Sequence, residues 1–247
     1  MDLTLSQLAL LVLGAFLTGL SKTGIAGVSV LSVALFAVAL PARESTGALL
    51  PLLLCADLFG VAFYRRHAVW PYLWRLFPWV AVGIVAGYFA LGKVSNDQVR
   101  RMIGGILVAM AALHVWRRRQ DDALAARLPH ALWFTAAMGV LAGFTTMVAN
   151  AAGPVMILYL LAVGLPKLAF IGTGAWFFLL VNAFKVPFSV HLGLITADSL
   201  LMDAALILPM APGALLGPVL VRRMNQRVFE NVALALAAAA AVKLALL

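Results

Sequence analysis

Long apolar runs separated by short polar segments make up almost all of this chain. The runs are helix-length and lack the alternation of apolar and polar positions that marks the strands of a membrane barrel. The pattern therefore predicts an all-α polytopic membrane protein. Uninterrupted helices are predicted over 45–64, 72–91, 98–116, 168–184, 197–221 and 228–247.

Two further runs are too long for one crossing and carry glycine-rich interruptions. The first, 5–40, would extend about 54 Å as one helix, against a hydrocarbon core of about 30 Å. Its interruption, Gly19–Gly27, holds three glycines and one lysine. Because glycine is a poor helix former, we expect two short helices, roughly 5–20 and 25–40, joined there.

The second interrupted run, 131–164, contains Gly143–Pro154 and ends before Pro166. It begins the second half of the chain as 5–40 begins the first. Four landmarks recur in the same order at offsets of 124 to 130 residues, which indicates an internal duplication. They are Gly19 and Gly143; Leu40-Pro41 and Leu165-Pro166; Gly83-x-x-x-Gly87 and Gly213-x-x-x-Gly217; and Asn96 and Asn225.

This duplication predicts two membrane repeats, 1–116 and 131–247, joined by a cytoplasmic linker at 117–130. Each repeat would contain a broken or re-entrant helix pair and three transmembrane helices. Small residues in the two G-x-x-x-G segments favour close packing between helices.

The distribution of Lys and Arg predicts the topology. If each interrupted run enters the membrane and returns to the same face, eleven Lys or Arg residues collect on one face. If each run crosses once, the loops carry seven on one face and eight on the other. The positive-inside rule favours the first arrangement, with the second repeat inverted and both termini in the periplasm.

Broken helices at matching positions of inverted repeats are typical of secondary transporters, which bind their substrate near the membrane midplane between the repeats. The N-terminal ends of such half-helices carry free N–H groups and favour anions. The side chains at the two breaks add one cation and neutral hydrogen-bonding groups, and neither break holds a carboxylate. We therefore predict a small-oxyanion site formed by Ser21, Lys22, Thr23, Thr145, Thr146 and Asn150.

Three other charged residues lie within apolar runs. Asp57 is a candidate for proton coupling, although it could instead be a structural counter-ion for Lys22. Asp203 is a second candidate for a proton relay. Lys185, just before Pro187, is expected near the end of its helix, with its ammonium group extended to the membrane interface.

Other classes of function are disfavoured. The net charge of +9 is explained by basic cytoplasmic loops, which are too short for a nucleic-acid-binding module. A single cysteine, Cys55, excludes an intrachain disulfide, and no metal-ligand or cofactor pattern is present in the sequence. Ser21-Lys22 could supply a serine–lysine nucleophile, but no matched histidine lies within a span, so we expect no enzyme.

The whole pattern resembles the TauE/SafE sulfite exporter family, also described as the 4-toluene sulfonate uptake permeases. The resemblance is carried by Gly19–Gly27, Leu40-Pro41, Gly83–Asn96, Gly143–Pro154, Leu165-Pro166 and Gly213–Asn225. It implies transport of sulfite, sulfonates or related organic anions across a bacterial inner membrane. Many members of that family have glycine-rich breaks without a lysine, so Lys22 departs from the looser pattern.

The sequence therefore predicts a secondary transporter of a small sulfur-containing anion in the inner membrane, with protons as a candidate coupling ion. The alternatives are an anion channel or a carboxylate transporter, and an intramembrane enzyme is a distant third.

Overall fold

The computed structural model describes residues 3–25, 27–92 and 131–225, together with five positions between 227 and 235. All regular elements in these segments are helical, and six helices are long and apolar enough to cross a membrane. This confirms the predicted all-α polytopic class. The helices are α1 (Leu5–Thr23), α2 (Ser29–Ala39), α3 (Ala42–Tyr64), α4 (Trp70–Leu91), α5 (Leu132–Ala149), α6 (Ala152–Val163), α7 (Lys167–His191) and α8 (Ala197–Arg223).

Some predicted elements lie outside the described residues. They are the helix over 98–116, the linker 117–130 and nearly all of the helix over 228–247. A 3-10 turn, Arg65–His67, follows α3 directly.

α2 folds back along α1 as an antiparallel hairpin. The Gln7 side-chain amide at the start of α1 donates to the Ala39 carbonyl at the end of α2, at 2.9 Å. Nearer the turn, Ser32 Oγ donates to the Gly14 carbonyl at 2.8 Å and lies 2.5 Å from Thr18 Oγ1. The start of α1 and the end of α2 therefore lie at the same level, as a re-entrant pair requires.

The second interrupted run forms a similar hairpin from α5 and α6. The Phe134 ring near the start of α5 stacks on the Tyr159 ring in the second half of α6, with centroids 6.2 Å apart. α2 and α6 have 11 and 12 residues. At about 1.5 Å per residue each spans roughly half of a 30 Å hydrocarbon core. Which membrane face each hairpin opens from remains a prediction.

Two of the glycines expected to break the helices, Gly19 and Gly143, lie inside them instead, whereas Gly24 caps α1 and Gly27 lies in the break with φ 102°. A β-carbon at Gly19 in α1 would overlap the Met210 carbonyl of α8, and one at Gly143 in α5 would overlap the Val80 carbonyl of α4. α1 therefore continues three residues past its predicted end near residue 20, and α5 continues through Gly143 into the interruption predicted over Gly143–Pro154. Glycine is retained here because it lets two membrane helices approach closely, and the continuous helix still satisfies its own backbone groups.

The breaks themselves lie a few residues later. α1 continues to Thr23, and α2 begins only at Ser29. The second break falls at Asn150, whose backbone is left-handed, with φ 52° and ψ 30°. Asparagine is among the few non-glycine residues that adopt this conformation.

Two closely packed helix pairs and one central pair connect the halves of the chain. α1 packs along α8, α4 packs along α5, and α3 packs against α7. The glycines of both G-x-x-x-G segments lie in the close contacts, since Gly83 faces α5 and Gly213 faces α1. The predicted packing role of these segments is confirmed, whereas the inverted symmetry of the repeats stays a prediction.

α7 extends seven residues further at its C-terminal end than predicted, because it continues past residue 184 and through Pro187 to His191. Proline is tolerated inside membrane helices where neighbouring groups satisfy the freed backbone. The extension carries Lys185 about 9 Å from the end of the helix into its interior.

Candidate functional site

Lys22 and Asp57 form a buried ion pair at the centre of the described helices. Lys22 lies in the last turn of α1, and Asp57 lies in the second half of α3. The Lys22 Nζ atom lies 2.8 Å from Asp57 Oδ1, with the two side chains 6% and 0% exposed. An ammonium has three N–H donors, so beside Asp57 it keeps donors for another acceptor.

The ring of Phe178 lies beside the same ammonium. Lys22 Nζ is 3.9 Å from the centroid of this α7 ring, within the range of a cation–π interaction. Tyr64 fixes the end of α1 by donating its hydroxyl hydrogen to the Thr23 carbonyl at 2.8 Å. Lys22 is thus held between α3 and α7 at the point where α1 ends.

Asn182 of α7 binds the other oxygen of the Asp57 carboxylate. Its amide Nδ2 donates to Asp57 Oδ2 at 2.6 Å, and the Asn182 side chain is 1% exposed. The two residues are 125 positions apart, the offset that also relates Pro41 to Pro166. An ammonium on one side and an amide on the other compensate the burial of this carboxylate.

Lys185 was missed as a site residue by the sequence analysis. Its side chain is only 2% exposed, so the expectation that it reaches the membrane interface is wrong. Its Nζ donates to the Thr146 carbonyl at 3.0 Å, to Thr146 Oγ1 at 3.2 Å and to Asn150 Oδ1 at 2.5 Å. The Thr146 carbonyl also accepts from the Asn150 N–H at 3.0 Å, so this ammonium is a second donor to the last turn of α5.

A signal for Lys185 was nevertheless present in the sequence. Lys185 follows Asn182 by three positions, so the two side chains share one face of a helix. Asn182 itself lies 125 positions after Asp57, within the range of offsets that relates the two halves of the chain. A helix continuing through Pro187 would therefore have placed a second cation beside the Asp57 position.

Asn150 ties the second break to α3. Its Nδ2 donates to the Thr46 carbonyl at 2.8 Å, while its Oδ1 accepts from Lys185. The left-handed backbone at Asn150 turns the chain into α6. One residue therefore forms the turn, binds a buried cation and contacts another helix.

A cavity of about 50 Å³ opens between the first break and the second hairpin. A cavity needs roughly 10–15 Å³ to hold one water, so this one can hold a small oxyanion. Its polar side chains come from Ser21, Lys22 and Ser29, and the remaining lining is apolar or glycine.

The first residues of both half-helices border this cavity. Ser29 begins α2, and Gly153 is the second residue of α6. A β-carbon at Gly153 would lie 3.0 Å from Ser29 Oγ, so the two breaks are direct neighbours. Both helix N-termini thus lie at one cavity that also contains an ammonium, an arrangement that favours an anion.

The six predicted substrate-binding residues fall into three groups. Ser21 and Lys22 line the cavity. The Thr23 hydroxyl donates to the Ala214 carbonyl at 2.7 Å, and the Thr145 hydroxyl donates to the Leu141 carbonyl at 2.8 Å.

Thr146 and Asn150 form the third group, at the second break, where they bind Lys185. These contacts describe the protein alone, so a direct substrate role for each of the six stays a prediction.

The ionisable groups of this cluster do not balance. Lys22 and Lys185 carry two positive charges, and Asp57 carries one negative charge. Among the described residues, the partners of Lys185 are neutral oxygens. With all three groups ionised, the buried cluster has a net charge of +1.

The second candidate carboxylate, Asp203, lies apart from this cluster. It is in the second turn of α8. Along this helix it lies eleven residues, or about 16 Å, from Ala214, whose carbonyl binds Thr23 next to Lys22. Its side chain is 4% exposed, and neither carboxylate oxygen has a hydrogen-bond partner in the described part of the chain.

A family model described as sulfite exporter TauE/SafE matches residues 10–244, nearly the whole chain. The chain belongs to the TauE/SafE sulfite exporter family. Proteins of the TauE/SafE family are transporters and not enzymes, so the family assignment confirms the non-enzymatic prediction. Neither the curated proteins nor the solved structures contain a significant match to this TauE/SafE chain.

The family membership and the six apolar helices together make the protein a multi-pass membrane transporter. The TauE/SafE assignment also agrees in its chemistry with an ammonium and two helix N-termini at one small cavity.

Proposed function

We propose that this protein is a secondary transporter of a small sulfur-containing anion, sulfite or an organosulfonate, across the bacterial inner membrane. The anion would bind near the membrane midplane, in the cavity between the two helix breaks. One observation carries the proposal: a buried cluster of two lysines and one aspartate contributes Lys22 to the lining of a cavity that both half-helix N-termini also face.

The burial of this charge is the physical argument for an anion. An uncompensated charge away from water is costly, so the empty site is incompletely neutralised. A bound monoanion would bring the cluster to neutrality. Since Lys22 has an ion-pair contact with Asp57 and lines the cavity, its ammonium can contact both carboxylate and substrate.

The predicted residues would then have three kinds of role relative to the bound anion. Lys22 and Ser21 would contact the anion directly, with Ser29 as a further hydroxyl donor at the start of α2. Thr146 and Asn150 would act through Lys185, whose charge adds to the positive potential of the site. Thr23 and Thr145 would contact substrate only after releasing the main-chain carbonyls that they now bind.

A ligand screen on the purified protein tests the substrate class. Unfolding temperatures would be compared in sulfite, sulfoacetate, taurine, thiosulfate and simple carboxylates. A ligand at about one hundred times its dissociation constant stabilises the protein by about 2.7 kcal/mol. Stabilisation by a sulfur oxyanion supports the proposal, and stabilisation by carboxylates alone contradicts it.

Flux into proteoliposomes tests the mechanism. The variant Lys22→Gln should lose anion binding and transport, because it removes the cation at the cavity. Lys167→Gln is the matched control, since Lys167 binds the Val221 and Met224 carbonyls at the end of α8 and does not line the cavity.

Unchanged transport in Lys22→Gln would refute the proposed site. Flux that responds to a proton gradient is expected of a coupled transporter. Flux that follows only the electrochemical gradient of the anion would identify a channel instead.

A further inference from the structure

Asp203 is a buried carboxyl group beside an apolar cluster of α1, α3 and α8. Around it, α8 packs against α1 and α3 through an apolar cluster that includes Leu11, Leu52 and Leu206. The Asp203 side chain is 4% exposed, and both of its oxygens lack a hydrogen-bond partner among the described residues. Such a group in a native structure calls for a functional explanation.

Asp57 shows how this fold stabilises an ionised carboxylate. One oxygen of Asp57 contacts the Lys22 ammonium, and the other accepts from Asn182. Asp203 has neither kind of partner in the described helices, so its ionised form would be an isolated charge in apolar surroundings. The cost of such a charge is several kcal/mol, and a carboxyl group avoids it by binding a proton.

The helices packed around Asp203 offer few other titratable groups. α3 contributes the thiol of Cys55, which lies within electrostatic range of the Asp203 carboxylate. The part of α1 from 5 to 15 holds no titratable residue, and on α8 itself Asp198 lies at the exposed start of the helix. No cluster of three or more His, Cys, Asp or Glu occurs among the described residues, so Asp203 is not part of such a group there.

The matching helix of the first half, α4, packs without a carboxyl group at the equivalent position. At the offset of 130 that relates Gly83 to Gly213, the position equivalent to Asp203 is Leu73. Leu73 is 3% exposed within the packed face of α4. Of these two equivalent positions, only the one in the second half carries a carboxyl group.

We propose that Asp203 is a proton-binding site, a neutral carboxylic acid in the resting protein that releases and rebinds one proton during each transport cycle. The step is Asp203-COOH ⇌ Asp203-COO⁻ + H⁺, with no change of oxidation state. Asp57, in contrast, stays ionised as the partner of Lys22. The coupling role rests on the proposed transport function, whereas the neutral resting state does not.

Infrared difference spectroscopy tests the neutral state directly. The unsubstituted protein should show the carbonyl stretch of a protonated carboxylic acid, and Asp203→Asn should lose this band. Asp198→Asn, which changes an exposed aspartate on the same helix, should retain the band. A spectrum in which Asp203→Asn changes nothing would overturn the proposal.

Two transport assays then separate coupling from anion binding. Counterflow, in which labelled anion exchanges for unlabelled anion, needs no proton movement and should persist in Asp203→Asn. Accumulation driven by a proton gradient should be lost in this variant and kept in Asp198→Asn. Accumulation at the unsubstituted level in Asp203→Asn would refute the coupling role.

A second variant tests whether the loss in Asp203→Asn comes from a folding defect. Asp203→Leu introduces the residue found at the equivalent position of the first half and should give the same loss of accumulation with retained counterflow. If the unsubstituted protein shows no anion counterflow at all, the proposed transport function fails, and the infrared band alone decides the proton site.

Discussion

The Lys22–Asp57 ion pair predicts a strong non-additivity between two substitutions. Lys22→Gln would leave the Asp57 carboxylate, which is 0% exposed, with the Asn182 amide as its polar partner in the described structure. Removing one partner of a buried ion pair typically costs about 3–5 kcal/mol. We expect Lys22→Gln to fall in this range.

Asp57→Asn should cost at least as much as Lys22→Gln, because it leaves Lys22 and Lys185 as two buried ammonium groups without a carboxylate. The Lys22 ammonium would keep the Phe178 ring at 3.9 Å, and it borders the cavity, where water can reach it. A desolvated cation–π contact contributes about 2 kcal/mol. These contacts limit the cost of the unpaired Lys22 ammonium, so the loss in Asp57→Asn should also lie within about 3–5 kcal/mol.

The double variant Lys22→Gln/Asp57→Asn removes both charges and leaves two amides that can bind each other. Replacing both members of a buried pair is often nearly neutral. The double variant should therefore be more stable than Lys22→Gln alone, with a coupling energy of about 2–3 kcal/mol. Anion binding should remain lost in it, because the cation at the cavity is absent.

The measurement is reversible unfolding in mixed micelles of a mild detergent and dodecyl sulfate, for the four proteins of the cycle. Ligand-induced stabilisation would be recorded on the same samples. If the two single losses simply add in the double variant, the ion pair has no energetic role and the reasoning is refuted. Recovery of anion binding in the double variant would refute the role of Lys22 at the cavity.

Three further predictions follow from the fold. Gly143→Leu should lose about 3 kcal/mol or more because its side chain would meet the Val80 carbonyl, whereas Gly92→Ala, with no atom closer than 3.7 Å, should change stability by less than about 0.5 kcal/mol. Asn150→Ala should lose about 3 kcal/mol. It removes two buried hydrogen bonds, and it places alanine in a left-handed backbone conformation that asparagine adopts more readily. Single cysteines at 66 and 223 should react with a membrane-impermeant reagent from the same face of the membrane.

Each of these has a contradicting result. An unfolding curve of Gly143→Leu that matches the unsubstituted protein would show that α4 and α5 do not pack as described. Full stability of Asn150→Ala would exclude Asn150 as the tie between Lys185 and α3. Labelling of positions 66 and 223 from opposite faces would eliminate the predicted topology.

The sequence predicted the elements of the fold because membrane helices leave a strong record in apolar run length. A run of 36 residues that fits neither one span nor two required an interruption, and the hairpin of α1 and α2 is the result. The exact break was mispredicted for a physical reason. Glycine weakens a helix and also permits close packing, and only the neighbouring helix decides which effect applies at Gly19 or Gly143.

The candidate site was predictable in part. Lys22 and Asp57 were both recognised as charges inside apolar runs, and their pairing was one of the alternatives considered. Lys185 was not recognised, because Pro187 suggested a helix end that would have placed the ammonium at the interface. Only the packed structure shows that α7 continues to His191 and that this ammonium lies against the open carbonyl end of α5.

The unbalanced charge of the buried cluster has a consequence for the response to membrane voltage. In the proposed cycle, with all three groups ionised, the empty site carries +1 and a site loaded with a monoanion carries none. Moving one elementary charge across 100 mV corresponds to about 2.3 kcal/mol. An interior-negative membrane therefore draws the empty site toward the cytoplasm and leaves the loaded site nearly indifferent, so voltage would drive the return step of an exporter rather than the step that carries the anion.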